Sequence, residues 1–189
     1  TDGLLGQALT LDGDSLLEGS RELAWVQHDR PFSFGGWMNF TTGRPVCLIS
    51  KSDEQNSLRG FDLRIRKSRA VVHLVHRWNS SAIQVETVGT ISRNRWQHVL
   101  VTYDGSGRAA GVRVYLDGEP APLEIKVDSL DGSIQNQEPL RIGRSSTSAP
   151  FIGSLDDIRL YDRSLSAEEA RQLAEGQFLR SVFMKPADS

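Results

Sequence analysis

The sequence has little cysteine, little net charge and no long hydrophobic run. Its 189 residues include one cysteine, Cys47, which excludes an internal disulfide and a cysteine-rich metal site. We expect this cysteine to be buried, as free cysteines usually are. The formal net charge of −2 offers no overall attraction to nucleic acid or to a membrane surface. No apolar stretch approaches the roughly 20 residues that a membrane-spanning helix needs. We therefore expect neither a nucleic-acid partner nor insertion into a membrane.

The chain also opens without the charged and then apolar residues of a signal segment, and its first residue is Thr1 rather than methionine. We interpret this start as that of a mature chain or of a domain within a larger polypeptide. No internal repeat and no linker-like stretch interrupts the sequence. We predict one domain over residues 1–189, with a core at about 6–176 and a loose tail at 184–189.

Helical periodicity is scarce as well, because apolar residues mostly recur at every second position. Phe61–Arg66 and Val71–Trp78 alternate cleanly, which is typical of strands with one buried face. Asp117-Gly118 is a strong signal for a hairpin turn, and the prolines that follow it predict an edge strand. Short segments of this kind recur at a spacing of roughly 8–12 residues. We predict an all-β fold: a two-sheet antiparallel jelly-roll β-sandwich with one short C-terminal helix.

The end of the chain changes from strand to helix. Ser166 followed by Glu169 is a capping box that predicts the start of the helix, Leu165 is placed as its hydrophobic staple, and Gly176 predicts its end. The preceding strand alternates over its full length. Its two faces are predicted to carry Leu155, Asp157, Arg159 and Tyr161 on one side and Ile152, Asp156, Ile158 and Leu160 on the other.

Five segments follow one another in a suggestive order: Phe32-Ser-Phe-Gly-Gly-Trp37, Trp96–Gly105, Val114-Tyr-Leu-Asp-Gly118, Leu140-Arg-Ile-Gly143 and Gly153–Ser166. Together they resemble the laminin-G-like jelly-roll modules of the concanavalin A-like lectin/glucanase superfamily. The resemblance covers about residues 6–175. It implies two curved sheets, with ligands met on the concave face or at the rim loops. It also implies an extracytoplasmic location (secreted, periplasmic or in the cell envelope) within a larger protein.

Glycoside hydrolysis is the enzymatic alternative, since the superfamily includes glucanases. Retaining hydrolysis needs two carboxylates about 5–5.5 Å apart, which on one strand means acids two or four positions apart. The glucanases carry a Glu-x-Asp-x-x-Glu or Glu-x-Asp-x-Glu strand, and no segment here matches either pattern. Asp62 has only Arg64 and Arg66 as neighbours on its face, and Glu124 alternates with Lys126. We therefore expect no catalytic residues and no enzymatic activity.

The histidines do not form a zinc site. His73 and His76 are three apart on a predicted strand, so they point to opposite faces and do not share a metal. His98 lies in the segment that resembles the family's core strand, and we interpret it as a hydrogen-bonded structural histidine.

Calcium fits the resemblance better, because related sandwiches hold a structural Ca²⁺ where the start of the chain meets the last strand. Gly153-Ser-Leu-Asp156 matches the Gly-x-x-Asp segment that supplies a carboxylate there. Asp12, Gly13 and Asp14 would supply oxygen ligands from the N-terminal side. The alternative is that Asp156 and Asp157 are exterior acids, one of them paired with Arg141 or Arg159.

Carbohydrate binding needs an aromatic ring beside hydrogen-bonding groups. Of the four tryptophans, Trp37 and Trp96 lie in apolar segments and are expected in the core. Trp78 ends a predicted strand before a polar turn and is expected at a rim. The neighbours of Trp25 leave its placement open.

One strand also predicts a basic surface. Burying Leu63 and Ile65 is worth roughly 1.5–3 kcal/mol each, so Asp62, Arg64 and Arg66 should share the opposite face. Arginine binds carboxylate and sulfate in a bidentate manner, which favours an acidic glycan. The alternative is an ordinary solvated sheet face. The candidate ligand-binding residues are Arg64, Arg66, His73, Arg77 and Trp78.

These observations favour a non-catalytic extracytoplasmic module whose partner is a glycan, acidic in character, or a protein. The alternative is a structural or protein-interaction domain of a larger secreted or envelope protein without a small ligand. A glycoside hydrolase is the third hypothesis. Fold alone does not separate these three, since function depends on the site.

Overall fold

A computed structural model describes residues 3, 7–15, 17–145 and 150–176 of the chain. The predicted loose tail at 184–189 lies outside the described residues. No helix among the described residues is long and apolar enough to cross a membrane.

The fold consists of two antiparallel sheets, as predicted. The first sheet has six strands, in the order β1 (Leu9–Asp12), β13 (Ile152–Tyr161), β3 (Phe32–Phe40), β8 (Gln97–Tyr103), β9 (Val112–Leu116) and β10 (Glu119–Pro120). The second has seven, in the order β11 (Leu123–Asp128), β7 (Ser81–Thr87), β6 (Arg69–Arg77), β5 (Arg59–Arg66), β4 (Val46–Asp53), β12 (Arg141–Ile142) and β2 (Leu17–Glu18). The segment after the prolines, β11, is an edge strand as expected.

The core lies between the two sheets and is built from the apolar positions of each alternating strand. Phe32 and Phe34 of β3 meet Phe61 of β5 with ring centroids 5.7 and 4.9 Å apart. Leu63 and Ile65 are buried in the same cluster, so the predicted orientation of β5 is confirmed. The face of the seven-stranded sheet that points away from this core is called the outer face below.

Strands β5 and β6 form a tight hairpin that organises the outer face. Leu63 pairs with Val72, and Arg66 pairs with Arg69 across the end of the hairpin. The two connecting residues, Lys67 and Ser68, have φ values of 51° and 60°. Both central residues of a type I′ turn need this left-handed backbone, which costs roughly 1–2 kcal/mol for a residue with a side chain. The turn is held in place because Ile91 N donates to Ser68 O at 2.6 Å.

Strand β13 does not alternate over its full length, contrary to the prediction. Asp156 lies opposite Trp37 but Arg159 lies opposite Gly35, so β13 carries one extra residue. This is a β-bulge, and Asp157 adopts a φ of 50° within it. The bulge exchanges the two faces of the strand. Leu155 before the bulge and Ile158 after it therefore both pack on the core.

The single α-helix among the described residues, α1 (Ala167–Ala174), confirms the predicted capping box. Ser166 Oγ accepts a hydrogen bond from Glu169 N at 3.2 Å, and Glu169 Oε2 accepts one from Ser166 N at 2.9 Å. The helix covers part of the six-stranded sheet on the side away from the core, where its apolar residues join Leu100 and Tyr115. No described helix packs on the outer face of the seven-stranded sheet, so that face is not covered by a helix.

Candidate functional site

A buried charged network around Asp62 occupies the centre of the outer face. Asp62 is 4% exposed. Arg64 Nε donates to its carboxylate at 2.9 Å, and His73 Nδ1 lies 2.7 Å from the other oxygen. Burial alone would raise the pKa of Asp62, but the charges and hydrogen bonds of His73 and Arg64 outweigh it and hold the pKa below its usual value. Asp62 therefore remains ionised and neutralises much of the charge that the sequence placed at Arg64.

A cleft of about 820 Å³ lies on the same face at the hairpin end of β5. Arg66 forms an ion pair with Glu86 from β7, and Lys126 pairs with Glu124 at 2.5 Å on β11. Arg69 lies 3.6 Å from Glu124. The cleft is lined by Arg66, Lys67, Arg69, Gln84, Glu86, Thr90 and Lys126. With Glu124 included, four cations face two carboxylates, so the cleft carries excess positive charge.

Glu86 and Glu124 lie directly opposite each other on β7 and β11. No pattern within one strand shows this pair of acids, because the two residues are far apart in sequence. A hydrolase would need one of them as a proton donor with a raised pKa. The hydrogen bond and charge of Lys126 instead lower the pKa of Glu124. The arrangement holds both carboxylates in ion pairs and does not resemble an acid–base pair.

Trp78 and Arg77 lie at the other end of β6. The Trp78 ring stands against the His73 ring, with centroids 5.3 Å apart and an angle of 77°. Trp78 therefore belongs to the outer face and is only half-buried, in agreement with its predicted place at a rim. Arg77 is exposed, and within the described part of the chain it forms no ion pair. A β-bulge between Val75 and Arg77 interrupts the alternation there.

The structure thus joins Arg64 and His73 through contacts with Asp62, and Trp78 through its contact with His73. Arg66 belongs to the cleft beside them. Cys47 is buried, as expected, and desolvation raises the pKa of its thiol well above the usual value. A thiol in that state is not a nucleophile.

The predicted calcium ligands are not brought together. In the register of β1 and β13, Asp12 lies opposite Ile152, four residues along the strand from Asp156. Four residues of strand span about 13 Å, which is far beyond the 2.3–2.6 Å of calcium–oxygen bonds. The Asp12 carboxylate accepts hydrogen bonds from Asp14 N and Ser15 N at 3.0 and 3.1 Å, which makes residues 12–15 a local turn.

Among the described residues, no group of three or more His, Cys, Asp or Glu side chains is placed to hold a metal. The set Asp12, Gly13, Asp14 and Asp156 does not fit one calcium ion. A structural calcium ion itself stays a prediction. The alternative is that one of the two adjacent aspartates pairs with Arg141 or Arg159. This holds for Asp157, which pairs with Arg159 at 2.6 Å. Arg141 pairs instead with Glu18 and Glu138.

The tryptophans differ from the prediction in two cases. Trp37 and Trp96 are half-buried and lie outside the core cluster. On β3 the core positions are Phe32, Phe34, Met38 and Phe40, so the alternation turns Trp37 to the opposite face, against His98. The predicted hydrogen bond of His98 is absent at its Nδ1 atom, which is buried without a described partner.

Sequence reasoning also missed residues that the structure brings to the clefts on the surface. The sequence contains a signal for Lys67 and Arg69. A two-residue turn between alternating strands places the residues before and after it side by side, so Arg69 could have been predicted next to Arg66, with Lys67 in the turn between them. Lys126 and Glu86 come from other strands, and no local pattern joins them to Arg66. Trp25 proves to be 51% exposed, with polar clefts around it.

A family model described as the concanavalin A-like lectin/glucanases superfamily, of the laminin G type, matches residues 18–171. The chain belongs to this superfamily. The predicted resemblance is therefore confirmed over most of its length.

Similar proteins extend the comparison. Over 147 residues the chain is 29% identical to adhesion G-protein coupled receptor V1 of Danio rerio, a match that spans 75% of this chain and 2% of the receptor. The binding domain of Paraclostridial Mosquitocidal Protein 1 has a TM-score of 0.74 at 18% identity, covering 94% of this chain and 45% of that one. Domain 4 of the extracellular arabinanase AbnA from Geobacillus stearothermophilus, solved with arabinotriose, has a TM-score of 0.58 at 19% identity, covering 92% and 79%. At these identities the two structures show a shared fold.

Proposed function

We propose that the chain is a non-catalytic module that binds an acidic glycan, carboxylated or sulfated, on the outer face of the seven-stranded sheet. The observation that carries the proposal is the excess of cations in the Arg66 cleft on a chain with a net charge of −2. Charge-assisted hydrogen bonds from guanidinium and ammonium groups are the strongest contacts that a carboxylate or sulfate makes with a protein.

Within the cleft, Arg66, Lys67 and Lys126 bind the anionic groups. Lys67 is exposed on a turn whose left-handed backbone is held by Ile91, so its backbone position is set before a ligand arrives. A cation on a fixed backbone loses less conformational entropy on binding than one on a mobile loop. Arg69 assists from the other side of the hairpin.

Trp78, His73 and Arg77 provide the far end of the same surface. Arg66 and Asp62 are four residues apart on β5, which corresponds to about 13 Å. A ligand that reaches from the cleft to Trp78 is therefore an extended chain with repeated acidic groups rather than a single sugar. An apolar sugar face stacks on the Trp78 ring at that end.

Glu86 competes with the ligand for Arg66, because the two side chains form an ion pair in the structure. Replacing the carboxylate by an amide in Glu86→Gln keeps the size of the side chain and frees Arg66. We expect this variant to bind sulfated polymers more tightly than the natural chain.

Two of the related structures are a binding domain and a domain solved with arabinotriose, which supports a role in ligand binding. We place the module outside the cytoplasm and within a larger polypeptide, in keeping with its similarity to part of an adhesion receptor. Sustained release of reducing ends from a glycan, abolished by Glu86→Gln, would instead make the protein a hydrolase.

The test uses Arg66→Ala with Lys67→Ala, assayed for retention on heparin, polygalacturonate and neutral dextran. Arg108→Ala with Arg113→Ala is the matched control, because it removes the same charge from exposed positions that do not line the cleft. We expect the cleft variant to lose about tenfold or more in affinity for the acidic polymers, and the control to lose little. We also expect natural binding to weaken with added salt, as exposed ion pairing does.

Equal losses of affinity in both double variants would show that binding depends on the net charge of the protein alone, and would contradict a specific site at the Arg66 cleft. No retention of the natural chain on either acidic polymer would favour a structural or protein-interaction domain.

A further inference from the structure

Three loops meet around Trp25 at the end of β5 opposite to the Arg66 cleft. They belong to residues 20–26, 53–59 and 133–137, and they enclose a cleft of about 500 Å³. This volume lies within the roughly 300–1,000 Å³ of small-molecule sites. The residues that line it are Trp25, Asp53, Asn56, Arg59, Ser133, Gln135, Asn136 and Gln137.

The loop that carries Trp25 is fixed by a buried lysine. Lys51 is 2% exposed, and its Nζ atom donates to Arg21 O at 2.5 Å and to Leu23 O at 2.9 Å. Ala24 has a φ of 59°, a backbone conformation that side chains disfavour. Such strain persists only where the surroundings enforce it, and it occurs often at ligand sites. The backbone next to a 51% exposed tryptophan is thus anchored by a buried lysine.

The opposite wall is equally constrained. Asn136 donates through Nδ2 to Lys51 O at 3.1 Å and to Arg59 O at 2.9 Å. The next loop contains two consecutive left-handed residues, Ser57 and Leu58, with φ values of 57° and 61°. These contacts hold the walls of the cleft in fixed positions relative to Trp25.

The chemistry of the cleft is that of a neutral ligand rich in hydroxyl groups. Asp53 and Arg59 contribute one charge of each sign, so the lining has no excess charge, unlike the Arg66 cleft. Asn56, Gln135 and Gln137 supply amides, each of which can both donate and accept hydrogen bonds. The Nε2 donor of Gln135 is buried and has no described partner. A ring beside amides is the combination that binds the apolar face and the hydroxyl edge of a sugar.

We propose that Trp25 and the amides of this cleft form a second site, which takes a neutral oligosaccharide. The site is separate from the Arg66 cleft, and its 53–59 loop borders the Trp78 end of the surface proposed above, where Trp78 N donates to Ser57 O at 3.0 Å. Arg59 and Arg66 stand at opposite ends of β5, seven residues or about 23 Å apart.

The experiment titrates the natural chain with neutral oligosaccharides of cello-, manno-, xylo- and arabino-hexaose, and follows binding by calorimetry. Trp25→Ala removes the ring from an exposed position, so the variant should fold normally, which its thermal unfolding checks. We expect it to lose affinity for the bound oligosaccharide by about tenfold or more. Added salt should not change the affinity of the natural chain for this ligand.

Leu23→Ala is the matched control, because Leu23 is 52% exposed two residues away and does not line the cleft. We expect it to bind the oligosaccharide as the natural chain does. A loss in Leu23→Ala equal to that in Trp25→Ala would mean that an apolar protein-binding patch, and not the amide cleft, is involved, and would overturn the proposal.

The proposal is also overturned if no neutral oligosaccharide binds the natural chain, or if binding survives Trp25→Ala. Retention of Trp25→Ala on heparin separates the two sites, since it should match the natural chain. Likewise, Arg66→Ala with Lys67→Ala should bind the neutral oligosaccharide unchanged. The two proposals can therefore fail separately, because each variant tests one site and should leave binding at the other unchanged.

Discussion

At the scale of single residues, buried polar side chains decide how this protein responds to pH. His98 is 2% exposed. Desolvation lowers its pKa from 6.5 to about 4, although the nearby carboxylates of Asp157 and Asp117 favour the charged form. The positive charge of Arg159 also lowers the pKa of His98. In the folded state His98 is therefore neutral at pH values where the unfolded chain binds a proton.

We expect the stability that depends on His98 to be complete above pH 6.5 and to be lost as the pH falls towards about 4. The unfolded chain binds more protons across this range, so the free energy of unfolding rises with pH there. A shift of this size corresponds to about 3 kcal/mol at most. Urea unfolding between pH 4 and 7 measures it, with His98→Gln as the comparison. Parallel pH profiles for the two proteins would contradict the assignment.

Asp62 shows why residue type alone did not settle the charge of the site. Arg64 and Arg66 both face outward, as the alternation with Leu63 and Ile65 predicted. Asp62 on the same strand neutralises the first, and Glu86 from another strand pairs with the second. The excess positive charge consequently comes from Lys67, Arg69 and Lys126, which together outnumber the single carboxylate of Glu124 and were not among the predicted residues.

At the scale of elements, the C-terminal helix depends on its first turn. Eight residues are too few for a helix to be stable by itself in water. Packing of Leu165, Ala170 and Leu173 against the six-stranded sheet provides the rest of the stability. The capping box satisfies backbone groups that the helix leaves unpaired at its start.

We expect Ser166→Ala to lower the free energy of unfolding by about 1 kcal/mol, the usual loss for an N-cap hydroxyl. Urea unfolding at neutral pH gives the difference. Ser164→Ala is the control, since the Ser164 side chain forms no hydrogen bond with another described residue. An equal loss in the control would show that the hydroxyl at 166 has no special role.

The hairpin of β5 and β6 was predictable as a pair of alternating strands, and its register followed from the burial of Leu63 and Ile65. The bulge in β13 was not predictable. One extra residue leaves the apolar pattern on either side intact, and only pairing with β3 reveals that Leu155 and Ile158 share a face.

At the scale of the whole molecule, the same pairing of distant strands separates the predicted calcium ligands. Asp12 and Asp156 belong to neighbouring strands, but the register shifts them about 13 Å apart along the sheet. We expect Asp12→Asn to leave unchanged any response of the melting temperature to calcium or chelator. Asp156→Asn removes the response if an ion binds at Asp156 alone.

Thermal unfolding of both variants with excess calcium and with chelator measures the effect, since a bound ion stabilises the folded state by linkage. Loss of the same calcium response in both variants would show that Asp12 and Asp156 share one ion after all.

The sequence by itself determined the two-sheet fold, the family, the orientation of β5 and the start of the helix. The strands, the orientation of β5 and the start of the helix follow from residues within a few positions of one another, because alternation, capping and turn preferences are local interactions. The family follows from the order of several such local segments along the chain. Only the tertiary structure decided which charges remain unpaired at the Arg66 cleft, where β13 bulges, and that Trp25 stands exposed among three loops. Those features depend on contacts between segments that are far apart in sequence, and such contacts form only when strands pair in one particular register.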